Sequence, residues 1–353
     1  MARKIALDAH ETGRVAAPAV EAFTAGSDSW NRSALDELVG AGASDSFAFT
    51  HSGAEAIQQV HWTAFIERAR KEGQCHFVTG PLEDAPTLQS LKRLEELGCF
   101  VKIAPVDALG RIDLSQLAEL ISPRTAMISL SVANALTGVV QPIEEIVQLA
   151  RSKSVWLHLD ASYALGKMES PFTHADYLTF AGNMIHSVPG SGGVFARKGL
   201  PLTPLILAPI EDAPSMSGLS AAARHASLSL DTMNLEVARL RDLFEEGLSA
   251  LANPLFRDTV RLPNVSVLVF PHIHQEMLHH ALKRKQLNAS IGGNYAPLLH
   301  RQLIACGIDE ITARCSLSFS LSRFNTEEEI VQAIEIVKTT AQNLAPLTQD
   351  LFA

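Results

Sequence analysis

Residues 156–197 constrain the fold of this chain more than any other stretch. An apolar strand-like segment ends in His158, Leu159 and Asp160, and a second apolar segment follows at residues 177–180. An aspartate at the carboxyl end of a buried strand lies where open α/β sheets bind their ligands, and its carboxylate can pair with a cationic ring nitrogen. The stretch therefore predicts an α/β fold with a ligand cleft at Asp160.

Two further segments complete this stretch. Small residues between the two strands predict a short helix closed by Gly166 and Lys167, and a glycine-rich return at residues 190–193 leads into a third strand at residues 194–196. The turn after the second strand should deliver a nucleophile to the same cleft. Met184 occupies that position, and its thioether supplies no proton and no useful nucleophile.

Size and charge limit the classes of function. With 353 residues, 47% of them hydrophobic, the chain is expected to form two domains around one cleft. Its net charge of −9 opposes binding to nucleic acid or to an anionic membrane. The sequence shows neither a signal peptide nor an apolar run long enough to span a bilayer, so we expect a cytoplasmic protein.

Cysteine and histidine residues give weak signals. The four cysteines are scattered without a CxxC pair, which predicts reduced, mostly buried thiols and no metal site. His272 and His274 are expected on one strand face, with His279 and His280 close by in sequence. No carboxylate completes an obvious ligand set, so solvated or interface histidines are favoured over a metal site.

The central stretch resembles the class V aminotransferases of the pyridoxal 5'-phosphate (PLP) fold type I, and within them the cysteine desulfurases. That family carries H-x-D-A-x-Q-x-x-G-K and then S-x-H-K before I-x-G-P-x-G-x-G. The positions that match are His158, Asp160, Ala161, Gly166, Lys167, Phe180, Gly182, Ile185, His186, Gly190 and Gly192. Further family motifs run from Leu7 to Phe324, so the resemblance covers most of the chain.

The resemblance implies a fold and an assembly. We expect a large domain over residues 15–245 with a mainly parallel seven-stranded sheet, as alternating strands and helices also indicate. A smaller α+β domain would combine residues 1–14 and 246–353. Relatives form homodimers in which the partner chain completes the cleft, so a homodimer is expected, with an active desulfurase paralogue as another possible partner.

The resemblance also implies a PLP pocket, but most of its positions are altered. The Schiff-base lysine falls on Met184 and the histidine before it on Asn183. Only Asp160, the partner of the ring nitrogen, and Gly53 of the phosphate loop are kept. The remaining family pocket positions hold Ala54 for a phosphate-binding threonine, Asp84 for a ring-stacking histidine, Ala135 for an asparagine, Tyr163 for a glutamine and Ala181 for a phosphate-binding serine.

Three of these positions also have simpler explanations. Gly53 and Ala54 open a helix whose free N–H groups could bind an anion weakly, although a tight strand-to-helix turn is the better interpretation. Asp84 is expected to cap the N-terminus of the next helix.

Lys167 is not a substitute for the missing lysine, because active relatives carry a lysine there too.

The family's substrate contacts are missing as well. Its carboxylate-binding arginine falls on Ser318, and no cysteine lies near Tyr295, where a desulfurase carries its persulfide. Leu219 replaces a threonine that reaches the neighbouring subunit's phosphate.

Three functional hypotheses follow. The first is a pseudoenzyme that acts by dimerisation or partner binding and holds no covalent cofactor. The alternative is an enzyme that reuses the cleft with non-covalent PLP or another anionic ligand, using polar groups of Asp160, His158 and Tyr163. The weakest is a sulfur or iron–sulfur carrier that uses Cys306 or Cys315.

Overall fold

A seven-stranded sheet forms the centre of the protein. The computed structural model describes residues 4–11, 13–26, 30–169, 174–207 and 212–348. The strands are β1 Ile5–Ala6, β2 Ser46–Thr50, β3 His76–Thr79, β4 Phe100–Ile103, β5 Thr125–Ser131, β6 Trp156–Asp160, β7 Tyr177–Ala181, β8 Gly192–Ala196, β9 Asn253–Pro254, β10 Val265–Val269, β11 Leu287–Asn288 and β12 Ser316–Ser320. The central sheet has the order β2-β8-β7-β6-β5-β3-β4.

Helices alternate with these strands. They are α1 Ala17–Ala25, α2 Ser33–Val39, α3 Gly53–Ala64, α4 Ala85–Glu96, α5 Leu114–Leu120, α6 Ile143–Ser152, α7 Ala213–Leu228, α8 Ala238–Leu248, α9 Gln275–Arg284, α10 Leu299–Ala305, α11 Glu310–Arg314 and α12 Glu327–Thr348. Helix α3 continues as a π-helix over Phe65–Arg70, a second π-helix, Thr232–Val237, leads into α8, and a short 3-10 helix covers Gly182–Ile185.

The predicted α/β fold with a mainly parallel sheet is confirmed. Strands β4, β3, β5, β6 and β7 run parallel to one another, whereas β8 is antiparallel to both β7 and β2. All seven residues of β5 are buried, as expected for a central strand covered on both faces. The carboxyl ends of β6 and β7 therefore meet at one edge of the sheet.

The predicted small-residue helix after β6 is wrong. Residues 162–167 form a series of turns, in which Ala161 O accepts from both Ala164 N and Leu165 N. Gly166 then takes a left-handed φ of +70°, which ends any helical geometry. The expected strand position of His272 and His274 is also wrong, because both lie beyond β10 and His274 caps α9 by accepting from Glu276 N.

Two smaller sheets lie outside the central one. Strands β12, β10 and β9 form an antiparallel sheet, and β1 pairs in parallel with β11, which joins the N-terminal segment to the C-terminal third. The two-domain division at residues 14/15 and 245/246 stays a prediction; its second boundary lies inside α8. No helix within the described residues is long and apolar enough to cross a membrane.

Glu245 on α8 is the main buried charge near the antiparallel sheet. It is 1% exposed and accepts hydrogen bonds from Arg257, Arg261 and Ser266, the shortest being 2.7 Å from Arg261 Nη1 to Oε1. Burial alone would raise the pKa of Glu245, but the arginines and the serine outweigh it and hold the pKa below its ordinary value. One carboxylate thus ties α8 to the chain that leads into β10.

We predict that Glu245→Gln destabilises the fold strongly. Removing one partner of a buried ion pair leaves uncompensated charge and costs about 3–5 kcal/mol. Urea unfolding of the full chain measures the loss, and Glu246→Gln is the matched control, since its neighbouring side chain is exposed. Equal stability of the two variants would contradict this role for Glu245.

Candidate functional site

A cavity of about 430 Å³ opens where β6 and β7 end and α3 begins. This is the carboxyl edge of the sheet, where open α/β proteins bind ligands. Most predicted site residues converge on it. The lining includes Gly53, Ala54, Asp84, Asp160, Tyr163, Ala181, Asn183 and Met184, together with Tyr295.

Ala135 is the predicted site residue that does not reach this cavity. It is 1% exposed and packs in the hydrophobic core. Its neighbour Asn134 does not compensate, because its amide nitrogen donates to Leu82 O and to Gln302 Oε1 at 2.8 Å. The segment after β5 thus contributes structural hydrogen bonds but no polar group to the cleft.

The start of α3 is a tight turn with its own acidic cap. Ser52 Oγ accepts from Glu55 N at 3.1 Å, and Glu55 Oε2 accepts from His51 N at 3.0 Å. This reciprocal arrangement places a carboxylate at the helix N-terminus, where a bound anion would otherwise lie. A Cβ on Gly53 would lie 2.7 Å from Ala181 Cβ, so the glycine is required for the close approach of α3 to β7.

Asp84 faces the cleft, and the prediction that its side chain caps α4 is wrong. It holds the N-cap position but makes no capping hydrogen bond. Instead, Tyr163 Oη donates to Asp84 Oδ2 at 2.5 Å. Burial, with a smaller effect of the charge of Asp160, raises the pKa of Asp84 to about 7 in spite of the hydrogen bond from Tyr163.

Asp160 lies at the floor of the cleft. Its Oδ1 accepts from Ser162 Oγ and from Thr179 Oγ1, each at 2.9 Å, and Ser162 Oγ in turn accepts from Ala181 N. Burial raises the pKa of Asp160 to about 6, although both hydroxyl groups lower it. The aspartate that the sequence singled out is therefore held rigidly at the end of β6.

A buried chain of hydrogen bonds runs from Asp160 away from the cleft. Thr179 Oγ1 bonds His158 Nε2, and Ser129 Oγ joins His158 Nδ1 to His61 Nε2, each bond being 2.9 Å. His61 Nδ1 ends the chain at Ser90 Oγ on α4, also at 2.9 Å. Burial lowers the pKa of His61 to about 3 and that of His158 well below its ordinary value, so both rings are neutral.

Sequence reasoning missed this chain and a role for Glu83. Its expectation that His158 offers a polar group to the cleft is wrong, because His158 is fully buried behind Asp160 and does not line the cavity. Polar residues on adjacent buried strands are the available signal, since Ser129 pairs directly with His158 in the sheet register. Glu83 Oε2 accepts from Ser131 N at 2.9 Å and from Ser131 Oγ at 2.6 Å. Burial raises the pKa of Glu83 to about 8, and nearby Asp84 and Asp160 add to this.

Lys167 lies beside the cleft and contacts two residues of its lining. Lys167 Nζ donates to Tyr163 O at 3.0 Å and to Met184 O at 3.3 Å, and it does not line the cleft. Burial lowers the pKa of Lys167 to about 7, and the charge of Arg323 lowers it further. Both carbonyls belong to residues that line the cleft, so the amine lies next to the lining and is held by its backbone.

The other altered positions have structural roles. Ser318 is fully buried, and its Oγ donates to Leu136 O at 2.6 Å. Leu219 is fully buried within its own chain. Cys306 is 3% exposed, and burial raises the pKa of its thiol to about 12, which opposes thiolate chemistry.

The central sheet and its helices have the PLP-transferase fold of type I. The family model for class-V aminotransferases matches residues 20–205. A cysteine desulfurase from Nostoc sp. (strain PCC 7120 / SAG 25.82 / UTEX 2576) is 30% identical over 336 residues, covering 90% of this chain and 82% of the relative. The chain therefore belongs to the class-V aminotransferase family.

Cysteine desulfurases are its relatives over most of its length. The cysteine desulfurase NifS of Azotobacter vinelandii is 31% identical over 338 residues, covering 89% of this chain and 83% of the relative. A NifS-like protein of known structure has a TM-score of 0.87 and 24% identity, covering 97% of this chain and all of that one. The structure of the NifS-like protein from Rickettsia africae ESF-5 has a TM-score of 0.84 and 18% identity, covering 96% of this chain and 100% of that one. The two structures share the fold.

The residues in the cleft do not fit PLP, the cofactor of this family. PLP carries an anionic phosphate, and Ala54 and Ala181 present no hydroxyl to it. The described residues that line the cavity include the acids Glu11, Asp84 and Asp160 but neither lysine nor arginine. A phosphate dianion would meet neither lysine nor arginine on this described lining, and the hydroxyls of Ser162 and Ser191 there already donate to Asp160 Oδ1 and to Val188 O.

We predict that Asp84→Asn stabilises the protein more at pH 8 than at pH 5. The folded protein keeps the Asp84 proton up to about pH 7, whereas an unfolded aspartate loses it near pH 4. The stability that Asp84 contributes is therefore greatest below about pH 4 and is lost as the pH rises from there to about 7. Asparagine does not ionise and so removes this pH-dependent loss of stability, while its amide oxygen can still accept the hydrogen bond from Tyr163 Oη.

Urea unfolding at both pH values measures the effect. The gain at pH 8 should exceed the gain at pH 5 by more than about 1 kcal/mol, since one pKa unit corresponds to about 1.36 kcal/mol. Asp258→Asn, on the exposed surface, is the control and should change stability equally at both pH values. An equal effect of Asp84→Asn at pH 5 and 8 would exclude a raised pKa.

Proposed function

We propose that this chain is a pseudoenzyme of the cysteine desulfurase type, which keeps the fold without the desulfurase reaction. The observation that carries the proposal is Met184 at the family's lysine position, in a cleft lined by no lysine among the described residues. PLP enzymes need a lysine amine to bind the cofactor covalently and to transfer protons. Lys167 does not supply it, because its Nζ is bonded to two backbone carbonyls.

The remaining replacements support the same proposal. Ala54, Ala181 and Met184 fill space but offer no acid, base or nucleophile. The acidic lining opposes the alternative hypothesis of non-covalent PLP or another anionic ligand. The buried Cys306 opposes the carrier hypothesis. In this proposal, the protein acts through its surface in the cytoplasm, either as a homodimer or together with an active paralogue.

We predict that the wild-type protein binds no PLP covalently and releases no sulfide from cysteine. Met184→Lys alone should also fail, because the hydroxyls at positions 54 and 181 stay absent. Each lost charge-assisted hydrogen bond costs about 1.5–3 kcal/mol, and about 1.4 kcal/mol is tenfold in affinity. The measurement is the yellow absorbance band with excess PLP, followed by borohydride trapping and mass spectrometry.

Met277→Lys is the control for Met184→Lys. It adds a lysine on the exposed part of α9 and so reports non-specific reaction of PLP with surface amines. A stoichiometric band in the wild type would overturn the pseudoenzyme proposal. A band in Met184→Lys that exceeds the one in Met277→Lys would show that the loss of the lysine alone had silenced the pocket.

We predict a homodimer at micromolar concentration. Large apolar side chains lie exposed on the single chain, among them Phe23 on α1, Leu228 on α7 and Leu235 before α8. Exposed apolar surface of this kind favours association. Light scattering should give twice the chain mass of 38.1 kDa. A measured mass of 38.1 kDa, both at the stock concentration and after 10-fold dilution, would contradict the dimer.

A further inference from the structure

The charged groups that line the cleft are nearly all of one sign. Glu11, Asp84 and Asp160 face the same cavity, and the one basic group on its described lining is His51. His51 is 48% exposed and pairs with Glu55 at 3.6 Å, so it lies at the rim. The cavity is large enough for a small molecule, since ligand pockets are about 300–1,000 Å³.

The two buried aspartates present their carboxylates to this cavity. Asp160 is 4% exposed, and both side-chain hydrogen bonds to it end on Oδ1, while the backbone N–H of Ser162 also bonds its carboxylate. Asp84 is 7% exposed and receives Tyr163 on Oδ2, which leaves Oδ1 without a side-chain donor within the described part of the chain. Ionised carboxylates accept hydrogen bonds and do not donate them, so a complementary ligand must bring donors.

Burying these carboxylates without a counter-charge is costly. The cost is visible in both groups, because burial raises the pKa of Asp84 to about 7 and that of Asp160 to about 6. A cation in the cavity would offset it. An ammonium group is complementary to these carboxylates, since it carries a positive charge on a compact group that has only hydrogen-bond donors.

We propose that the cleft binds a small aliphatic amine of the diamine or polyamine class, with an ammonium group bound to Asp160 and Asp84. The volume accommodates an organic cation, and no group of three metal-ligating side chains is assembled among the described residues. Glu11 supplies a third negative charge on the same lining. The inference rests on the proposed function in one respect: the cleft must be free of PLP.

Amine binding should be coupled to proton release. The ammonium favours the ionised form of both aspartates, so affinity should rise between pH 5 and pH 8. The titratable groups that face the aspartates are Glu83 beside Asp84, Tyr163 on Asp84 Oδ2, and Glu11 and His51 on the cavity lining. The pKa of Glu83 is also raised, to about 8, so its ionisation should add to the rise of amine affinity with pH.

The test is isothermal titration calorimetry of the full chain at pH 8 and 150 mM salt. The probes are spermidine and 1,4-diaminobutane, with 1,4-butanediol as the neutral isostere. We expect saturable binding of one amine per chain, no heat from the diol, and at least tenfold weaker binding to Asp160→Asn and to Asp84→Asn. Asp258→Asn removes the same charge on the exposed surface and should bind as the wild type does.

The outcomes separate this inference from the proposed function. No amine binding, or equal weakening by Asp258→Asn, would overturn the amine site, because a chain of net charge −9 attracts cations non-specifically. If Asp160→Asn does not fold, as circular dichroism would show, Asp84→Asn decides the result. A stoichiometric PLP band in the same preparation would instead overturn the proposed function.

Discussion

The hydrogen bond from Thr179 to Asp160 is the contact on which the rest of the cleft depends. It fixes the carboxylate at the end of β6 and joins β6 to β7 below the cavity. Ser162 adds a second bond to the same oxygen and a third to the backbone at Ala181. The position of Asp160 is thus set by the sheet and the turn that follows β6, whatever ligand the cavity holds.

The fold was predictable from sequence because its signals are local and ordered. Strand β6, the turn at Met184 and the glycine-rich return into β8 each carry their own pattern, and the family motifs fix their order. The convergence of Asp160, Asp84 and Met184 on one cavity followed from this order. Residues 162–167 escaped prediction because small residues suit turns and helices alike, and the left-handed Gly166 decides between them.

The polar interior could not be predicted in the same way. Whether Asp84 caps its own helix or accepts from Tyr163 depends on two segments that lie far apart in sequence and meet only in the folded chain. His61 and Glu83 gave no local signal, since a lone polar residue in an apolar segment is usually a satisfied core residue. Burial determines their protonation, and burial is a property of the assembled structure.

The hydrogen-bonded chain behind Asp160 has a direction. When Thr179 donates to the carboxylate, Thr179 accepts from His158 Nε2–H, Ser129 donates to His158 Nδ1, and the same order repeats at His61. The ionised aspartate thereby selects the Nε2–H tautomer of two imidazoles, the farther of which contacts Ser90 on α4. The ring protons of both histidines are shielded from water. The nuclear magnetic resonance signals of these ring protons would therefore report whether Asp160 is ionised, and the signal of His61 would do so from the far end of the hydrogen-bonded chain.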